Sequence, residues 1–478
     1  MAIAAIIVLA ICAQACNTPP AAAMPPRILR IGFGLPSGDA GTSGVRQAAR
    51  LLSVEGLISF SRSGRPQPWL AERWEVTADG RTLTIHLKPG VQFHDGRALD
   101  AATVRDALQT QLPAYMGPAF ADISGITVAS PQSLQIRMTR RSNFVLESLD
   151  AGLTSPDSPD AGTGPFRRAE QGERDILALE ANPDYRDGSP AIPRVEFHAY
   201  QSERAAWADM LRGDVDMLYE VNAEALQSLE PSSQVAVYSH SRNYAYALLM
   251  NVQRPDLSDP QVRRQLNDAI DRPLLVEEAM NGHGRPVDSP VPPEHWAADR
   301  DTDAPRFSYK PTPLGTPRSL TCIFADASLE RMALAVQRQL YQIGVELTLE
   351  RIPIDRLYAR ATAGQFDLLL ADMLAGPTMA RQQWFFGSGA QFNWGHYSNA
   401  DVDHAFDVMR GAATEPEYRL GVAAYTRAIV SDPPAIFLAW SERTRAVSTR
   451  YAVPADPARD VLSTLRQWRS AGAELGAH

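Results

Sequence analysis

Trp69-Leu-Ala-Glu-Arg-Trp-Glu-Val-Thr-Ala-Asp-Gly-Arg-Thr-Leu-Thr-Ile-His-Leu-Lys-Pro-Gly-Val-Gln-Phe-His-Asp-Gly96 is the stretch on which the reading of the fold turns. Ala78-Asp79-Gly80 predicts a turn, because Gly tolerates positive φ and Asp bonds its own backbone. Beyond it Leu83, Ile85 and Leu87 alternate with Thr82, Thr84, His86 and Lys88, the period of a half-buried strand. Pro89-Gly90 and His94-Asp95-Gly96 turn the chain twice more. Asp100 stands where a helix N-cap belongs, and Val104, Ala107, Leu108 and Leu112 fall on one helical face. The unit is a hairpin docked on a helix. His94 and Asp95 are read as turn residues rather than as a metal or acid–base pair.

At 478 residues the chain is too long for one small core and implies two or more domains. Its 45% hydrophobic and 21% charged residues are those of an ordinary globular protein. Lys and Arg number 46 against 55 Asp and Glu, a formal charge of −9. With no basic run interleaved with aromatics, nucleic acid is not an expected partner.

Residues 1–16 read as a signal peptide: Met1 to Ala15 is apolar apart from Gln14, and too short to span a bilayer. Ala13-Gln14-Ala15-Cys16 resembles a bacterial lipobox, with Cys16 as the lipidated residue, although Ala13 replaces the usual leucine and the first basic residue is Arg27. A plain secretory signal cut near Ala23 is the alternative. Residues 17–29, rich in Pro and Ala, suit a tether. Cys322 then stands alone in an apolar, strand-like run, so a buried inert thiol is expected and no disulfide.

Two α/β modules follow. Arg194 to Tyr200 predicts a strand, Ser202 to Leu211 a helix ended by Gly213, and Val215 to Tyr219 a parallel strand. The order recurs from Leu320 to Phe324, where Ser328 is the expected cap and Leu329, Met332, Val336, Leu340 and Ile343 repeat at helical spacing up to Gly344. Strands at Val345–Ile352 and Phe366–Ala371 flank a helix at Asp355–Ala363.

The opening stretch, Val54-Glu-Gly-Leu-Ile-Ser-Phe60, Gly162-Thr-Gly-Pro165, Leu177 to Tyr185, Tyr244 to Asn251, Leu257 to Arg272 and Gly282 to Pro293 occur in the order seen in one family. The chain resembles the family 5 extracellular solute-binding proteins, receptors of peptide, nickel and related ABC importers, from about Arg30 to Trp468. The resemblance implies an α/β, two-lobed periplasmic-binding-protein fold of type II, in the large cluster with an extra subdomain. Its ligand cleft would lie between lobes joined by a hinge. The expected division is lobe I over 30–240, with an extra subdomain at about 51–160, lobe II over 241–438, and a return to lobe I over 439–470. The hinge is expected near Tyr238–Tyr246, with the return crossing near Phe437–Trp440.

The resemblance further implies a monomer on the outer face of the membrane or in the periplasm, an ABC permease as partner, a small-molecule or peptide solute, and no cofactor. Ligands of open parallel sheets sit beyond strand carboxyl ends, which here are Tyr200-Gln201, Tyr219-Glu220, Ala325-Asp326 and Asp372-Met373-Leu374. In the family the loop at the last of these carries an aspartate for a peptide's ammonium group, and Gly376 replaces it here, so a peptide with a free N-terminus is not the expected solute. Trp384, Phe386 and Trp394, from an aromatic-rich run that also holds Phe385 and Phe392, are expected wall residues, about two of the five reaching the cleft. Tyr244 and Tyr246 adjoin the hinge, and Ser37 is the expected contribution from the opposite lobe.

Three rival readings stand beside this one. Enzyme signatures such as G-x-S-x-G, H-E-x-x-H and the P-loop are lacking, and Asp299-x-Asp301-x-Asp303 fails as a calcium loop because Lys310 holds its twelfth position. A nickel or metal-chelate receptor would draw on His240, His283 or His396. A ligand sensor or chaperone-like protein without a transporter is the remaining alternative.

Overall fold

The computed structural model describes residues 28–34, 40–169, 176–299, 304–374, 376–454, 456 and 459–471. Gly80 takes φ +72, and the chain returns as the strand Thr82–Leu87 with Leu83, Ile85 and Leu87 inward. Asp100 caps α1 (Ala101–Met116), its carboxylate accepting from the Thr103 N–H at 2.8 Å. Val104, Ala107, Leu108 and Leu112 are buried against this strand and its neighbours. The resulting antiparallel sheet has the order Ala71–Val76, Thr82–Leu87, Ser133–Met138, Ile123–Ser130. A short helix, α2 (Asn143–Glu147), follows it.

Apart from two small two-stranded sheets, the remaining strands form one eleven-stranded sheet. β1 (Ile28–Gly34) runs parallel to both β2 (Arg194–Tyr200) and β3 (Met217–Leu218), with α3 (Glu203–Arg212) crossing between those two. Ser202 caps α3, and Gly213 ends it in the left-handed conformation at φ +84. β4 (Val235–Met250) leads from this half into the next. There β5 (Arg318–Phe324), α4 (Glu330–Tyr341), β6 (Val345–Arg351) and β7 (Leu368–Leu374) form the second parallel set. β8 (Ala435–Ser448) returns antiparallel along β4. Across the sheet the order is β6-β5-β7-β4-β8-β3-β1-β2, closed at the β2 edge by antiparallel strands Leu177–Ala181 and Phe166–Arg168. Only β4 and β8 therefore join the two parallel sets among the described residues, and they pair with each other along most of their length.

Local details depart from expectation in three places. Asp326, not Ser328, is the cap: its carboxylate accepts from the Ser328 N–H at 2.8 Å and opens a 3-10 turn before α4. The expected helical face survives, with Leu329, Met332, Val336, Leu340 and Ile343 all buried. Gln342 rather than Gly344 is the C-cap, Gly344 serving the following turn at φ +91. Strand β3 shrinks to two residues, preceded by Asp216, whose carboxylate accepts from the Arg30 N–H and from Arg450.

The antiparallel unit touches both halves of the large sheet. Towards the first half, Glu55 accepts from Trp69, Thr163, Tyr185 and Arg186. Towards the second, α2 packs against α5 (Met379–Phe386), α6 (Ala400–Gly411) and α7 (Glu415–Ser431). There Phe144 meets Phe406, Asn143 donates to the carbonyls of Met409 and Ala412, and Glu147 accepts from Tyr418 at 2.6 Å and from the Ala380 N–H at 3.1 Å.

Candidate functional site

A cavity of about 540 Å³ opens between the two parallel sets, over the crossing strands. The first half supplies Glu203 at the start of α3 and Glu220, Val221 and Asn222 after β3. The second supplies Asp326, Tyr358, Ala371, Asp372, Met373, Phe385, Phe392 and Trp394. Between them lie Arg242, Tyr244 and Tyr246 of β4 and Glu442, Arg443 and Thr444 of β8.

The crossing strands do not run in simple register. His240 opposes Arg443 and Ser241 opposes Glu442, yet Ala245 opposes Trp440, so three residues of β4 bulge out against one of β8. A bulge bends its strand and re-aims side chains. Here it delivers Arg242 and Tyr244 to the cavity. Arg242 donates to Asp372 at 2.7 Å and lies 3.7 Å from the centre of the Tyr244 ring. The cavity walls desolvate Asp372 and push its carboxyl up, Arg242 pulls it back, and solvent still reaches the group through the mouth. Desolvation likewise raises the Tyr246 phenol above its ordinary range, which keeps it a neutral hydrogen-bonding group.

Arg443 mirrors Arg242 on the other side, with Glu220 at 2.5 Å. Behind it, Arg445 lies 3.8 Å from the Tyr219 ring and pairs with Asp460 at 2.5 Å. Asp460 is thereby held down at about 2, Arg445 overcoming the burial that works against the charge. In the aromatic wall Trp394 meets Phe392 at 5.9 Å and Tyr358 at 5.8 Å edge to face, and Phe385 lies tilted at 5.7 Å from Phe392.

Tyr244, Tyr246, Asp372, Met373 and Trp394 are thus brought together. The Leu374 backbone pairs with Tyr244. Phe386 is corrected: it is 2% exposed and packs on Phe437, 5.8 Å away, inside the core. Trp384 is corrected too, since it turns towards the antiparallel unit, edge-on to Tyr115 at 5.4 Å, over a separate depression of about 220 Å³. Three consecutive residues of one helix cannot share a direction, and only Phe385 of the three faces the cavity. Ser37 and Cys16 lie outside the described residues.

Sequence reasoning missed Arg242, Glu442, Arg443 and Tyr358, whereas Glu220 and Asp326 stand at strand ends that it named. Arg242 stood within the expected hinge, but the bulge that turns it inward has no residue signature. His240, His283 and His396 line no part of the cavity, and among the described residues no three His, Cys, Asp or Glu side chains converge as metal ligands. Cys322 is buried, its thiol pushed up to about 12 by desolvation, which leaves no reactive thiolate near neutral pH.

The model of the bacterial extracellular solute-binding proteins, family 5, matches residues 65–393. The chain is 23% identical over 407 residues to the probable D,D-dipeptide-binding periplasmic protein DdpA of Escherichia coli K12, covering 77% of this chain and 78% of that one. Its fold matches the oligopeptide-binding protein AppA from Bacillus subtilis, in complex with a nonapeptide, at a TM-score of 0.77 and 20% identity, over 93% of this chain and 99% of that one. It also matches NikZ from Campylobacter jejuni, in complex with Ni(L-His), at 0.78 and 18% identity, over 93% and 100%.

Proposed function

The chain belongs to the bacterial extracellular solute-binding proteins of family 5, and from that premise we propose that its solute is held in the 540 Å³ cavity over the crossing strands. As a family member it is the solute-capturing component of an ABC importer, with the type II periplasmic-binding-protein fold. The observation that carries the site is its two-sided construction. Residues from both parallel sets face one space, and the described chain passes between the sets only in β4 and β8.

Such a connection lets two halves rotate about a pair of strands and enclose a guest. The proposed lobes are 30–240 with 439–470, and 241–438, hinged near Tyr238–Tyr246. The proposed contacts are Tyr244, Tyr246, Asp372, Met373 and Trp394, joined by Arg242, Phe385 and Phe392. Capture and release without bond-making suit this arrangement, and the proposed working form is a monomer. No helix among the described residues is long and apolar enough to cross a membrane. Tethering through a lipidated Cys16 is the proposed means of holding the receptor near its permease.

The proposed solute is not a peptide anchored by its N-terminus at the loop after β7. Gly376 takes φ +69, and a Cβ there would lie 2.7 Å from Arg381 Cδ. The loop therefore has no room for a carboxylate at this position while Arg381 stays bound to Asp150 and Tyr115. Native mass spectrometry of protein purified without denaturation tests the reading by identifying a co-purifying solute. A solute at a hundredfold its dissociation constant adds about 2.7 kcal/mol of stability, so a melting screen checks any candidate. Absence of a bound or stabilising solute from every chemical class would overturn it.

A further inference from the structure

We infer that the solute is an organic cation with an apolar or aromatic body; the inference rests on the cavity being the solute site. Five carboxylates line it, those of Glu203, Glu220, Asp326, Asp372 and Glu442, against the guanidinium groups of Arg242 and Arg443. Both guanidinium groups are engaged, Arg242 with Asp372 and Arg443 with Glu220. Asp326 is occupied in capping the turn before α4. Glu442 differs: it lies on β8 between the two halves, half-buried, and among the described residues its carboxylate has no hydrogen-bond or ion-pair partner.

The geometry around Glu442 fits a positive charge in two ways. A cavity lined by an excess of one sign concentrates the opposite sign. The wall of Tyr358, Phe385, Phe392 and Trp394 adds aromatic surface that can cover an apolar part and offers rings for a cation. An anionic solute faces the reverse situation. It would have to share a guanidinium group already paired with Asp372 or Glu220, with its own charge beside that carboxylate and the others lining the cavity. A neutral solute would leave Glu442 enclosed without a partner once the halves close.

Calorimetric titration of the full chain with agmatine and choline as cations, glutarate as an anion and acetyl-alanine amide as a neutral probe tests the inference. The cations are expected to bind at least tenfold more tightly than glutarate or the amide, and to weaken as salt is raised. Glu442→Gln is expected to lose at least tenfold of the cation affinity while its melting temperature without solute stays close to that of the parent. Equal or tighter binding of glutarate or the amide overturns the charge assignment and leaves the receptor reading standing, as does an unchanged affinity in the variant. If Tyr246→Ala leaves the binding of every probe intact, the cavity is not the solute site and both readings fall.

Discussion

Arg242 and Asp372 meet at 2.7 Å in the cavity wall, one on a crossing strand and the other at the end of β7 in the second half. Arg443 on the other crossing strand pairs in the same manner with Glu220 of the first half. Each half thus holds one guanidinium group of the crossing strands. In the proposed closure of the halves, both pairs would change their surroundings.

Removing Arg242 leaves Asp372 without its counter-charge while the cavity walls still disfavour the ion. The side chains are 14% and 29% exposed, so solvent recovers part of the loss. Arg242→Ala is expected to cost about 1–2 kcal/mol in urea denaturation and to shift the Asp372 titration, followed by carboxyl NMR, further upward. An unshifted carboxylate and unchanged stability would show that the pair is incidental.

Glu147 is expected to make the stability of the protein depend on pH. Desolvation lifts its carboxyl from 4.5 to about 7, against the hydrogen bonds from Tyr418 and Ala380. The folded state therefore holds the proton more tightly than the unfolded one. Its stabilisation is complete below about 4.5 and is lost as pH rises through about 7, an effect on the order of 3 kcal/mol. Glu147→Gln should remove that loss, so the variant gains on the parent between pH 5 and pH 8. A constant difference across that range in denaturation curves would refute the assignment.

Neighbouring phenylalanines should behave differently. Phe386→Ala empties a core position and is expected to cost about 3–5 kcal/mol. Phe392→Ala, on the half-exposed cavity wall, should cost under roughly 1.5 kcal/mol and weaken the co-purifying solute at least fivefold. Measured stability and affinity losses falling together in both variants would contradict the separation of core from wall.

Gly376 needs both its backbone freedom and its missing side chain. Gly376→Ala is expected to cost about 1–3 kcal/mol, through the left-handed backbone and the contact with Arg381. Equilibrium denaturation that finds the variant as stable as the parent would mean that the loop rearranges freely.

Much of the scaffold was legible in the chain because its signals are local. Asp100 capping α1, Gly213 ending α3 and the turn at Gly80 each depend on the chemistry of one residue and its immediate neighbours. The Ser328 expectation failed for a related reason. Asp326 offers a stronger acceptor two residues earlier, and the 3-10 turn it opens displaces the start of α4.

Order and periodicity along the sequence were enough to determine the two α/β modules and the hairpin ahead of them, since strand and helix patterns follow from side-chain spacing, and the quoted motifs carried the resemblance to the family. Which of Trp384, Phe385 and Phe386 meets the cavity was decided only by tertiary packing. Successive helical residues point about 100° apart, and the neighbours that select one direction come from distant parts of the chain. The same holds for Arg242: a register jump against β8, almost two hundred positions away in sequence, turns it towards Asp372. Local chemistry set the elements, and long-range contact set the charge pattern of the site.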